Sequence, residues 1–192
     1  MSTVTAKKHR KSYFLYFLLQ KLCKKQSGVT AVEFGIIALP FFAIVFAILE
    51  VGLVFFGSLA LENSVEQTSR LVKTGQAQGA SMTETQFRTA VCQNVNSLFN
   101  CNNLLKLELR SFPSFQSAGT YMENANNDPI DINGDLRDDF TFEANTAGGD
   151  IILLRAYLEW DITLSFPGNG LSNMGNGNRL LVSTITFKNE PF

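Results

Sequence analysis

Phe34 to Leu61 is an apolar run of 28 residues interrupted by one charge, Glu50. Downstream of it the pattern becomes periodic. Leu61, Val65, Thr68 and Leu71–Val72 recur at spacings of three and four, with Glu62, Glu66, Arg70 and Lys73 between them, which is the stripe of an amphipathic helix. Run and stripe predict one long helix from Val29 to about Thr74, stopped by the turn of Gly75 to Gly79. A second helix is expected to start at Ser81 or Thr83 and to reach about Asn100, with Phe87, Val91, Val95 and Leu98 on its apolar face. Glu84, three residues after Ser81, suits a capping box. The remainder predicts strands at 104–112, 139–143, 150–166 and 179–188, where Leu105, Leu107 and Leu109 alternate and β-branched and aromatic residues are common. Polar Ser114–Arg137 and Gly/Asn-rich Pro167–Asn178 are expected to be loops. The fold class is therefore α+β, with helices packed on a small antiparallel sheet, and no internal repeat is visible.

About 20 apolar residues cross a bilayer, so the run from Phe34 is long enough to span one. Charge supports that reading and orients it. Residues 1–32 hold seven Lys/Arg and no acid, whereas from Val29 onward nine Lys/Arg face seventeen Asp/Glu, a balance of −8. Positive residues just before a membrane helix keep its N-terminus in the cytoplasm, so everything after about Leu61 is expected to be exported. A nucleic-acid binder would carry its basic residues on the folded face instead. The chain divides accordingly into a basic segment 1–28, a membrane segment 29–61 and an exported α+β domain 62–192. The basic segment is unlike a secretory signal. Its short apolar patch Tyr13–Leu19 is followed by a second basic cluster, and the long apolar stretch comes last.

Cys92 and Cys101 form an even pair in an oxidising compartment, where a disulfide is the expected form and two free buried thiols the alternative. Cys23 lies in the basic segment. The one histidine is His9, which removes Ser-His-Asp and Cys-His catalysis and leaves no four-ligand zinc set; neither enzyme, metal nor cofactor is expected. Asp131, Asn133 and Asp135 match the start of a calcium loop, but Leu136 stands where the sharp turn needs Gly and Phe142 where a bidentate Glu belongs. An acidic solvated turn is the expectation there.

The most informative segment is Ser27-Gly28-Val29-Thr30-Ala31-Val32-Glu33-Phe34. A small residue before an apolar helix admits a peptidase that works at the membrane surface, and a carboxylate at the head of a membrane helix calls for a partner. This arrangement resembles type IV pilins and pseudopilins. Gly28–Glu50, with Glu33-Phe34, Leu39-Pro40 and Glu50, is more closely similar to the TadE/TadG-like pseudopilins of tight-adherence (Flp) pilus systems, as are Gly149–Trp160 and the ending Phe187–Phe192. The resemblance implies cleavage between Gly28 and Val29 by a prepilin peptidase. It also implies that Glu33, beside Phe34, pairs with the new amine of Val29 on a neighbouring subunit. The implied partners are that peptidase, other pilins or pseudopilins, the Tad inner-membrane assembly platform and membrane lipid, with no nucleic acid. Major pilins of such systems are much shorter, so the length fits a minor pseudopilin. A single-pass membrane-anchored adhesin or sensor, not processed as a pilin, is the alternative. Within the helix, Pro40 is expected to free one carbonyl and to kink the axis. Glu50, roughly 25 Å along the axis from Glu33, is expected to be solvated near the membrane interface, a helix–helix contact being the other reading.

Overall fold

A computed structural model describes residues 28–93, 95, 101–162 and 170–192; residues 1–27 of the basic segment, Cys23 among them, lie outside the described residues. The chain divides into two compact units, Met1–Ile48 and Leu49–Phe192. Helix α1, Val29–Lys73, begins at the expected residue, continues through Pro40 and stops one residue before Thr74. Pro40 has no N–H to donate, so the carbonyl of Ile36 loses its helical partner. Gly75 ends the helix in the left-handed conformation at φ 76°, with its N–H bonded to Val72 O at 3.1 Å.

In the second unit, α1 buries Glu50, Val54, Gly57, Leu61, Val65, Thr68 and Val72, a stripe at steps of three and four. A short helix α2, Gln76–Gly79, and helix α3, Glu84–Gln93, follow. The cap of α3 differs from the Ser81–Glu84 box. Gln86 N–H donates to Thr83 Oγ1 at 3.3 Å, and Thr83 N–H donates back to Gln86 Oε1 at 2.9 Å, so Thr83 is the N-cap. Ser81 is excluded from that role by its φ of 47°, where an N-cap residue is extended. Phe87 and Val91 of α3 enter the core, and the Ser64 hydroxyl of α1 donates to Val91 O. The expected continuation of α3 to Asn100 falls mostly outside the described residues. Helix α4, Cys101–Leu104, leads directly into strand β1, Leu105–Phe112, so Leu104 is helical and not the first strand residue.

Strand β2, Ile151–Trp160, lies between β1 and strand β3, Arg179–Lys188, in an antiparallel three-stranded sheet of order β1-β2-β3. Ile152, Leu154, Ala156 and Leu158 join Leu105, Leu107 and Leu109 in one core with α1 and α3. The other face of β2, which carries Leu153, Arg155 and Tyr157, is buried as well. That is why this strand reads as a nearly unbroken apolar run.

Three further expectations are corrected. Ser114–Arg137 is not a loop throughout. Helix α5, Phe115–Glu123, is capped by Ser114, whose side chain accepts from Ser117 N–H, and a 3-10 turn, Ala125–Asn127, follows. Its polar composition hid a helix that buries only Ala118 fully. Residues 139–143 do not form a strand; Phe142 makes one isolated parallel bridge to Leu109. The next rung does not form because the Ser111 N–H that it needs donates to the Glu143 side chain at 2.8 Å. The strand expected to Phe166 ends at Trp160, and residues 163–169 lie outside the described residues. Residues 170–178 are irregular, as expected.

Candidate processing and assembly segment

Gly28 stands directly before the first residue of α1. A Cβ built on it meets no atom within 4 Å, so nothing among the described residues requires glycine there. A requirement for a small residue would therefore come from outside the fold. From Val29 to Ile48 the helix exposes eleven large apolar side chains, Phe34 at 68% among them. Each would gain about 1.5–3 kcal/mol from burial, so together they outweigh the roughly 5–15 kcal/mol that holds an ordinary domain folded. Water is the wrong medium for this segment. Its most apolar stretch, with a mean hydropathy of 2.6, is only 6% buried, which separates it from the core helix of a soluble protein. Among the described residues, one helix, near the N-terminus, is thus long and apolar enough to cross a membrane.

Glu33 is exposed in that first unit and sits one helical turn after Val29, so the two residues share a face. Phe34 is next to it on the same exposed surface. A carboxylate in the first turns of a helix faces the positive end of the macrodipole, and an amine created at Val29 would add a full charge beside it. Among the described residues Glu33 has no ion pair.

Glu50 departs from the expectation of a solvated carboxylate. It is only 7% exposed, on the α1 face that also buries Val54 and Gly57 within the second unit. That face lies close to the sheet: a Cβ on Gly57 would come within 2.7 Å of the Trp160 ring. Close packing here, not solvent, sets the surroundings of this stretch.

Cys92 of α3 and Cys101 of α4 are joined in a disulfide with a Cα–Cα distance of 5.5 Å, and both are fully buried. The bridge ties the end of α3 to the turn that feeds β1. The Asp131–Asp135 segment forms a tight turn. Asp131 Oδ1 accepts from the N–H groups of Asn133 and Asp135, each at 2.9 Å. The backbone N–H of Asp135 is the main influence that lowers the Asp131 pKa below the usual range. Among the described residues no three His, Cys, Asp or Glu are gathered as a metal site.

A buried polar centre on the outer face of the sheet was not anticipated. Glu108 is 1% exposed, and its Oε1 accepts from Tyr121 OH at 2.5 Å and Arg110 Nε at 2.9 Å. Its Oε2 accepts from Arg155 Nε at 2.7 Å and Tyr157 OH at 3.2 Å. Burial pushes the Glu108 pKa up, but hydrogen bonds from Tyr121 and Arg110 and the charge of Arg155 outweigh it and hold the carboxyl below its ordinary value. Burial raises Tyr157 and Tyr121 instead. With both carboxylate oxygens doubly satisfied, this centre is built to hold structure. The alternation of Leu105, Leu107 and Leu109 signals that Glu108 faces away from the main core; α5, which the sequence concealed, helps to cover it through Tyr121, and Phe140 stacks on the neighbouring Tyr157.

Comparison with known proteins bears on the N-terminal half of α1 and its amphipathic continuation. Residues 28–70 match the family model described as TadE-like protein, so over this stretch the chain is similar to that family. The match starts at Gly28, one residue before α1, and supports a protein associated with Tad pili. No curated protein and no solved structure matches the chain.

Proposed function

With residues 28–70 TadE-like, we propose that the chain is a minor pilin or pseudopilin that takes part in assembly or function of a Tad (Flp) pilus, in adhesion or secretion, without catalysis of its own. A prepilin peptidase cuts between Gly28 and Val29. Before and after the cut, the apolar part of α1 anchors the protein in the inner membrane, with the N-terminus cytoplasmic and residues 62–192 in the periplasm or the pilus. The observation that carries this reading is that the family match, which starts at Gly28, covers a helix whose residues from Val29 to Ile48 expose eleven large apolar side chains. Assembly partners that offer apolar helices, or lipid, satisfy that surface; Glu33 sets their register by meeting the Val29 amine of a neighbouring subunit.

N-terminal sequencing of the membrane-extracted protein tests the reading. A mature chain that starts at Val29 supports it, and a chain that starts at Met1 in cells with the peptidase points to an unprocessed membrane-anchored adhesin or sensor. Glu33→Ala should leave insertion and cleavage intact and reduce crosslinking to pilus components many-fold, because loss of one partner of a buried pair costs about 3–5 kcal/mol. Glu33→Asp should fall between. Wild-type crosslinking of inserted, cleaved Glu33→Ala would remove the intersubunit role.

A further inference from the structure

The two edges of the sheet are treated differently. On β1 the outward groups of Leu109 and the outward N–H of Ser111 are met. Leu109 N–H donates to Thr141 O at 2.9 Å, Leu109 O accepts from Glu143 N–H at 2.8 Å, and Ser111 N–H donates to Glu143 Oε2 at 2.8 Å. On β3 the first outward residue is Leu180. Its N–H donates to Asn173 Oδ1 at 2.6 Å and its carbonyl accepts from Asn173 Nδ2 at 3.3 Å, so one side-chain amide stands in for a neighbouring strand. Strand groups alternate with a period of two, and β3 is paired with β2 without a bulge from Arg179 to Lys188. The N–H and C=O groups of Val182, Thr184 and Thr186 therefore point to the same side as those of Leu180. Among the described residues nothing pairs with them.

Natural sheets protect such an edge with lysine, proline, a bulge or a covering element. Here none is present between Arg179 and Lys188; Val182, Thr184, Ile185 and Thr186 are all β-branched, Val182 is 50% exposed and Thr184 is exposed. We propose that this edge is an interface with a second copy of the chain, in which β3 pairs antiparallel with β3 of the copy about a two-fold axis at Thr184.

A bare row of backbone donors and acceptors is complemented by another extended strand, and β3 suits itself. With the axis at Thr184, Val182 faces Thr186 of the copy, Ser183 faces Ile185, and Thr184 faces itself. Every facing pair is uncharged and all but Ser183 are β-branched, the kind of cross-strand pair that stabilises sheets. Arg179 and Lys188 fall opposite Asn189 and Leu180, so no like charges meet. A five-residue strand pair is much smaller than the roughly 1,200 Å² of a stable soluble interface. The pairing therefore depends on proximity, which anchorage of both copies in one membrane supplies through effective concentration; that clause rests on the membrane-anchored reading above.

Outward-pointing residues on the axis form a hydrogen-bonded pair with Cα atoms about 5.5 Å apart, within disulfide range. In native membranes of cells that express the full chain, Thr184→Cys should give a disulfide-linked homodimer under mild oxidant. Val182→Cys alone and Thr186→Cys alone should not, whereas the two expressed together should link to each other. Thr184→Lys added to that mixed pair brings two lysines face to face, and should cut the linked fraction about tenfold. Leader removal and the Cys92–Cys101 bridge are read in the same samples, so a failure of processing is distinguished from a failure of pairing. Monomeric Thr184→Cys, a linked product with a different protein in place of the homodimer, or links formed equally by all three single variants would overturn the proposal.

Discussion

Glu108 of β1 and Arg155 of β2 are direct cross-strand partners, and the Arg155 Nε–Glu108 Oε2 distance is 2.7 Å with both residues buried. The pair lies beneath α5, with Tyr121 and Tyr157 completing the carboxylate's coordination by hydrogen bonds. Arg155→Met should leave the Glu108 charge poorly compensated and cost about 3–5 kcal/mol, measured by urea unfolding. Replacement of both residues by apolar ones should cost much less than either single change.

The same centre sets a pH window. Glu108 has a folded-state pKa below its unfolded value, so its contribution is complete above the ordinary glutamate range and is lost as pH falls through the folded value. Tyr157 and Tyr121 are shifted upward, and their contribution is complete below the ordinary tyrosine range and is lost at higher pH. Thermal melts should show acid destabilisation that Glu108→Gln weakens. Equal acid sensitivity in that variant would show that other carboxylates govern it.

Gly75 and Phe192 join the end of α1 to the C-terminus. Gly75 adopts φ 76°, and a Cβ on it would lie 2.5 Å from the Phe192 ring. The tail is also held by Glu190 N–H, which donates to Lys73 O at 2.9 Å. Gly75→Ala should cost about 1–2 kcal/mol for the left-handed conformation alone, plus the displaced ring. Phe192→Ala in the same chain should recover only the steric part. A melting temperature unchanged by Gly75→Ala would refute this account of the helix end.

The Cys92–Cys101 bridge closes a loop with a sequence separation of nine. Loop entropy gives a stabilisation of about 2.5 kcal/mol for a loop of this size. Cys92→Ser with Cys101→Ser should lower stability by that order, and thiol alkylation of the denatured, non-reduced wild type should label neither cysteine. Labelling of both would show that the bridge is not formed in the native protein.

Gly28→Val should accumulate a precursor that retains residues 1–28, visible as a slower band on a gel. Because a Cβ at Gly28 meets nothing, the variant should fold like wild type. Normal-sized mature protein from it would displace the cut from the Gly28–Val29 bond.

Local pattern alone determined much of this protein. The helix from Val29, its stop at Gly75 and the pairing-competent runs of β1, β2 and β3 all follow from periodicity and turn residues placed within a few positions of each other. What the sequence concealed depends on contacts between distant residues. Glu50 looked solvated because it lies roughly 25 Å along the helix axis from Glu33, near the membrane interface, and only the packing of α1 at Gly57 against Trp160 shows that its face is enclosed. Helix α5 was hidden by its polar composition, and with it the reason why Glu108 can be buried. Phe142 reads as part of a strand, yet it makes a single bridge, since the Glu143 side chain takes the Ser111 N–H that a longer ladder would use. Periodicity records which side of an element is apolar. Which other element covers that side, and which charges then meet, is settled only when residues far apart in the chain are brought together.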